Sequence, residues 1–495
     1  MVYVDTAQPQ PPDPRVLRKL IMVASIAAGV QFGWALQFSL LTPYTQFLGL
    51  SHQLVSIVWL CGPISGLVVQ PIVGHYSDRC TSPFGRRRPY IVAGTALLSL
   101  GVLLIGFAAD IGRNLGDSLE RGVLKCRAAS IFVLGFWLLD IANNMIQGPC
   151  RALLADISGP SDALVTIGNA LFACFMAVGN IMGFAAGSFG RIYMIFPFTR
   201  TDACHINCAN IKTCFLLSVI LTSLIVVMVV VFIKEERLDP LCLAYLNAGS
   251  SGVEDSPPSF LMQIVLALRD TSRPIRILYA VTALNWVGFF PFLLYDTDWM
   301  GKEVYGGTPT GDPAEVNLYS QGIRVGAMGL MVYVITMGCF SLIMETMARV
   351  LGDVRRLWSG GNFVLALCML LTVVISAMAE RAREAAAVAS GSSLVQPPVG
   401  VKVSCFALFG LLGIPQAVTY TIPFALASIY SKDGSNGQGL ALGLLNLAIV
   451  IPQMGVALIS GPLDAVFGGS NLPAFVLGGT AAAVGGIAAL KLPLS

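Results

Sequence analysis

Charge is scarce in this sequence. Lys, Arg, Asp and Glu together make up 12% of its 495 residues, where a soluble globular chain carries about 25%. A chain this long with so little charge cannot cover a water-facing surface, so its solvent must be lipid. Histidine is nearly missing as well. His52, His75 and His205 are too scattered for a metal cluster, and the twelve cysteines lack zinc-type spacing, so no metal is expected. The net charge of only +3 gives no footprint for nucleic acid. No nucleophile motif or phosphate loop is visible, which argues against an enzyme. Residues 1–19 are polar and proline-rich toward the front and lack the apolar core of a cleavable signal peptide. They read as a cytoplasmic tail.

What is abundant is apolar sequence. Hydrophobic residues reach 55% and the mean hydropathy is +0.76. Apolar runs fall at 20–48, 56–76, 89–109, 128–155, 166–189, 212–233, 276–295, 322–345, 357–379, 401–428, 439–458 and 472–491. Each is near the length of about 20 residues that spans a bilayer as a helix. The fold class is therefore all-α: a membrane protein of twelve transmembrane helices. A polar stretch at 234–272 carries Gly249-Ser250-Ser251-Gly252 and Pro257-Pro258 and reads as a linker. It separates an N-terminal six-helix half, 20–233, from a C-terminal half, 273–495.

Arginines crowd particular loops: Arg79, Arg86, Arg87 and Arg88 after helix two, and Arg349, Arg355 and Arg356 after helix eight. Arg15, Arg18 and Lys19 precede helix one. With twelve alternating helices all of these share the side of both termini, and the positive-inside rule makes that side the cytoplasm. The halves echo each other: Leu138-Leu139-Asp140-Ile141 returns as Leu411-Leu412-Gly413-Ile414, about 270 residues later. Parallel six-helix repeats are the plan of major-facilitator carriers, whose substrate sits near the midplane between the halves.

Helix four carries the most chemistry. Asp140, Asn143, Asn144, Gln147 and Arg151 fall on one helical face. Asp140 and Arg151 point the same way but lie about 16 Å apart along the axis, so they cannot pair. Asp140 is midway between Arg127 and Asp156, hence near the bilayer centre. A carboxylate there costs at least about 3 kcal/mol and must face a cavity or a partner. Low dielectric disfavours its charged form, so it can cycle between protonated and charged states, as a proton-coupled carrier requires. The alternative is a buried helix–helix hydrogen bond. Two readings compete for Arg151: a member of this polar stripe, or a side chain snorkelling to the headgroups.

Other residues suit a sugar. Gln31, Trp34 and Gln37 on helix one, Asn169 and Asn180 on helix five, and Asn446 and Gln453 on helix eleven are polar or aromatic in apolar surroundings. Amides bond hydroxyls in both directions, and flat rings suit the apolar side of a sugar. Each also fits helix packing, as do Gly179, Gly183 and Gly187. Asp296 and Asp298, with Trp299, read from position as charges and a belt aromatic at the outer interface. His52 falls in the first outer loop. Cys126, Cys204 and Cys208 map to outer loops, where a disulfide persists; their pairing is open. Most other cysteines sit in apolar runs and read as small hydrophobes.

Several stretches resemble plant sucrose–proton symporters: Ala27 through Gln37, Ser77-Asp78-Arg79-Cys80, Phe84-Gly85-Arg86-Arg87-Arg88-Pro89, Leu139 through Asn144, and Gly148-Pro149-Cys150-Arg151-Ala152. Asp296-Thr297-Asp298-Trp299-Met300-Gly301 and Gly413-Ile414-Pro415-Gln416-Ala417 complete the set, so the resemblance runs through nearly the whole chain after the tail. It implies Asp140 as the protonation site, Arg151 as tied to sucrose coupling, and His52 as linked to substrate access. Asp298, Lys302 and Glu303 match a functionally sensitive segment. Lys302 stands where the family has arginine, and lysine lacks the bidentate fork, so a role based on charge alone is implied. With Asn143, Gln147, Gln31 and Trp34 as further substrate contacts, the expected function is proton-coupled sucrose import by alternating access. The expected partners are sucrose and other glucosides, the proton and the lipid bilayer; no cofactor beyond the proton is expected. A plasma-membrane location is expected, although a vacuolar relative would share these motifs. A proton-independent facilitator and a sugar sensor with a carrier fold are the alternatives.

Overall fold

The computed structural model describes residues 13–118, 123–159, 162–204, 206–235, 272–390, 395–431 and 438–492. Most of the tail and of the linker at 234–272 therefore lies outside the described residues. Twelve helices are long and apolar enough to cross a membrane, and no strand occurs among the described residues. In order they are Pro14–Phe47, Leu54–Gly74, Arg88–Asn114, Cys126–Ser158, Ile167–Ser188, Cys208–Phe232, Arg273–Val304, Pro313–Met344, Val354–Ala389, Val399–Ala427, Leu444–Val466 and Leu472–Ala489. We refer to them as spans one to twelve.

Local chemistry moves some of the expected boundaries. The first helix begins at Pro14, ahead of the apolar run, because Asp13 caps it by accepting the Arg15 amide at 2.8 Å and proline suits the first helical position. The sixth helix begins at Ile206 rather than at Lys212. Lys212 is consequently buried, with its ammonium 2.5 Å from Asp110 and over the Phe107 ring. The eighth helix starts with a capping box between Asp312 and Glu315 and ends at Gly352, whose φ of 71° is left-handed. Cys204 and Cys208 form a disulfide, leaving Cys126 free and exposed.

Packing repeats across the chain. Span one packs on five and six, two on four, and three on four and six; seven on eleven and twelve, eight on ten, and nine on ten and twelve repeat each pairing six spans later. The two sets meet where one touches seven and eight, two touches eleven, and five touches eight. Hydrogen bonds cross this seam, three of them as follows. Thr42 Oγ1 donates to the Leu294 carbonyl at 2.9 Å, Thr297 Oγ1 to the Ser39 carbonyl at 2.9 Å, and the Tyr319 hydroxyl to Gln46 Oε1 at 3.3 Å. All lie toward the end remote from the termini. At the opposite end Tyr420 and Phe424 on span ten are 50% and 39% exposed. Among the described residues the seam is closed at one end and open at the other.

Close approach of spans one and five rests on glycine. A Cβ on Gly183 would lie 2.6 Å from Ala35 Cβ and 2.8 Å from the Phe32 carbonyl oxygen, and that backbone cannot yield. We expect Gly183→Leu to force the helices apart, an overpacking cost of about 1–3 kcal/mol or more. Its thermal unfolding temperature and surface abundance should both fall below those of the unaltered protein; equal values would show that the seam tolerates bulk.

Candidate functional site

Midway along the spans, a cavity of about 270 Å3 lies between the halves. Its polar lining comes from Gln37, Gln70, Asp140 and Asn144 on one side and Asn446 and Gln453 on the other. Aromatic rings form the rest of the wall. Trp34 meets Phe38 edge-on, Phe38 stacks on Trp59 at 5.6 Å between centroids, and Trp286 packs near Tyr420 across the cavity. Trp59 Nε1 donates to Thr42 Oγ1 at 3.1 Å, and Thr42 itself donates across the seam, so the aromatic wall is tied to the closed end.

Asp140 is buried at the inner edge of this cavity. Its Oδ2 accepts the Cys61 thiol at 2.9 Å, and Gln37 flanks it. Asn144, one turn on, donates to Ser65 Oγ at 3.0 Å and accepts from Gln70 Nε2 at 2.8 Å. The indole nitrogens of Trp34 and Trp286 have no partner among the described residues although both are buried atoms. Such donors cost free energy unless a guest or water satisfies them. Aromatic faces, amides and donors without partners on two opposed walls are what a polyhydroxyl ligand with apolar ring faces requires.

The other candidates fall elsewhere. Gln31 and Asn143 are buried outside the lining and keep amide atoms without partners among the described residues. Gln147 is half-buried on the same helix. Arg151 is exposed toward the open end, its guanidinium 4.5 Å from the Phe172 ring centroid and 3.9 Å from Met176 Sδ; it does not line the cavity. His52 opens the short helix His52–Val58 at the closed end instead of lying in a loop.

Asp296, Asp298 and Trp299 are not at an interface. The seventh helix runs through Trp299 and continues as a π turn, Met300–Val304, which draws all three inside. Trp299 Nε1 donates to Ser376 at 2.8 Å. Asp298 accepts from the Tyr319 hydroxyl at 2.6 Å and from Asn471 Nδ2 at 2.9 Å, and pairs with Lys302 Nζ at 3.1 Å. Glu303 accepts from the Asn471 amide at 2.8 Å and from Ser470 Oγ at 3.1 Å. Lys302 and Glu303 line a second recess, of about 730 Å3, at the closed end. Sequence reading missed Asp464, fully buried on span eleven; the Tyr295 hydroxyl lies between it and Ser56. Asp464 lies past the end of the apolar run at 439–458, and the helix there continues to Val466.

Two six-span bundles that meet over a polar and aromatic cavity define a multi-pass membrane carrier of the major-facilitator kind, not an enzyme. The family model described as MFS/sugar transport protein matches residues 20–293. Sucrose transport protein SUT2 of Oryza sativa subsp. indica is 45% identical over 477 residues, covering 96% of this chain and 92% of that one. Sucrose transport protein SUC4 of Arabidopsis thaliana is 46% identical over 485 residues, covering 98% and 92%. The chain belongs to the sucrose transport protein family. Among solved structures the nucleoside transporter NupG matches with a TM-score of 0.61 at 10% identity, over 96% of this chain and 98% of that one. A D-xylose-proton symporter matches with 0.58 at 16%, over 96% and 97%. At such identities the likeness shows the fold alone.

Proposed function

We propose that this chain carries sucrose inward together with a proton, its two halves rocking about the cavity so that it opens to each side in turn. The observation that carries the reading is Asp140: an ionisable group, buried midway along the spans, at the wall of a cavity whose other groups suit a sugar. Intramembrane carboxylates of this kind mark ion pathways. Trp34, Gln37, Asn144, Asn446 and Gln453 are the proposed sugar contacts, and opening of the far end requires release of the Thr42, Thr297 and Tyr319 bonds. Arg151 keeps a proposed role in sucrose coupling at the open mouth, about three turns from Asp140.

The arginine-rich loops support an orientation. Arg86 and Arg87, both salt-bridged to Asp156, and Arg355, paired with Asp353, lie at the end that carries both termini. That end is assigned to the cytoplasm, and the membrane to the plasma membrane. The open state would then face inward.

The test is sucrose-evoked current in a heterologous cell. Inward current should grow severalfold as the outside pH falls from about 7 to about 5. Uptake that is electrically silent and indifferent to pH would replace the symporter by a facilitator.

A further inference from the structure

The second and fourth spans run parallel and in step. Cys61 and Ser65, one turn apart on span two, face Asp140 and Asn144, one turn apart on span four: the Cys61 thiol donates to Asp140 Oδ2 at 2.9 Å, and Ser65 Oγ accepts from Asn144 at 3.0 Å. The residues that follow each of them lie on the same contact: a Cβ on Gly62 would stand at an ordinary van der Waals distance of 3.4 Å from Asp140 Oδ2, and one on Gly66 at 3.7 Å from Asn144 Oδ1. Cys61 is itself fully buried. It is thus held against the carboxylate by the register of two helices.

We propose that Cys61 is a positioning residue for proton coupling: its thiol holds the Asp140 carboxylate in place and in its ionised form until the cavity delivers the proton. This rests on the reading of Asp140 as the proton carrier. The choice of a thiol has a physical reason. A donor favours the charged form of the carboxylate it bonds. A lysine or arginine at this distance would hold it charged in a low dielectric, and a proton would not displace it. A thiol is a weak, neutral donor. It orients Oδ2 and biases the equilibrium modestly, and the carboxylate stays free to take up a proton and release it on the other side. The groups that face Asp140 are otherwise neutral: Gln37 from span one and, on its own helix, Asn144, whose Nδ2 bonds the Asp140 carbonyl at 2.9 Å. Span three packs on span four there through glycine, with Gly101 against Leu139. No lysine, arginine or second carboxylate bonds Asp140 among the described residues.

The experiment measures sucrose-evoked current against outside pH for the full-length protein with Cys61→Ala, Cys61→Val and Cys61→Ser, at matched surface abundance. The first two lack a donor; alanine leaves a small gap and valine adds about a methyl group, so they err in opposite directions of packing and one of the pair serves if the other fails to reach the membrane. Both should move the half-maximal pH upward by about half a unit or more, the size expected for one lost hydrogen bond. Serine, which restores a donor, should keep the half-maximal pH at or below that of the unaltered protein. A residue that merely fills space would lower the current at every pH without moving the midpoint. Unmoved midpoints in both donor-free variants, beside an unaltered protein whose current does depend on pH, would overturn the role of Cys61 and leave Asp140 as carrier intact. If current in the unaltered protein is itself indifferent to pH, the coupling reading falls and this one with it.

Discussion

Cells expressing Asp140→Asn are expected to place the protein in the membrane and still fail to concentrate sucrose. Asparagine keeps the size of aspartate and can still accept the Cys61 thiol, so the step between spans two and four survives. On the proposed function, what is lost is the group that takes up and releases a proton. Binding of proton and sugar must favour each other for one gradient to drive the other, and a protonated carboxyl both donates and accepts toward a sugar hydroxyl. The expected result is loss of accumulation against a gradient and loss of pH dependence, with sucrose binding or downhill exchange retained. Asp140→Glu keeps the chemistry and displaces it by one methylene, so partial activity at most is expected. The measurement is steady-state accumulation of labelled sucrose at two outside pH values. Accumulation by Asp140→Asn with the unaltered pH dependence would move coupling to another carboxylate, with Asp298, Glu303 and the buried Asp464 next in line.

The second large effect is expected at Lys302. Its ammonium is the cation paired with Asp298, whose side chain is fully buried, and Glu303 lies in the same network through Asn471. Removing one partner of such a pair leaves an uncompensated charge and costs about 3–5 kcal/mol in buried settings, somewhat less here because Lys302 is partly exposed. Lys302→Met should therefore lower the thermal unfolding temperature of the purified protein by several degrees and abolish transport. Lys302→Arg should retain both. The Nζ–Oδ2 approach at 3.1 Å is a point-charge interaction that asks for no bidentate geometry. A Lys302→Met protein as stable and active as the unaltered one would show that the other partners of Asp298, Tyr319 and Asn471 among them, satisfy it without the lysine.

Much of this was legible without coordinates because it depends on local pattern. A span is written in the length of an apolar run, and the midpoint of span four is found by counting from Arg127 to Asp156. The reading of Asp140 as exceptional followed from the cost of a charge at that depth. Asn446 and Gln453, singled out as amides in apolar surroundings, line the cavity with Gln37 and Trp34. The same reasoning misjudged Asp298 and Trp299. Near the end of an apolar run, an aspartate beside a tryptophan looks like an interface, and nothing local announces that the helix continues through a π turn into the packed interior.

Cys61 shows the boundary most plainly. In sequence it is a cysteine in an apolar run, indistinguishable from Cys150 or Cys368, and the hydrophobic reading is the sensible one. Its partner lies 79 residues away, and the contact exists only because two helices pack in one register. Lys212 and Asp110 met in the same way, 102 residues apart. By itself the sequence determined the solvent, the number of spans, the repeat and the one carboxylate at mid-depth, since each follows from what a single helix must satisfy in lipid. The tertiary structure alone decided which polar groups share a cavity, which are spent on packing, and which end of the seam is closed. Those depend on the register and tilt of helices against one another, which arise from packing summed over whole faces and are written in no single segment.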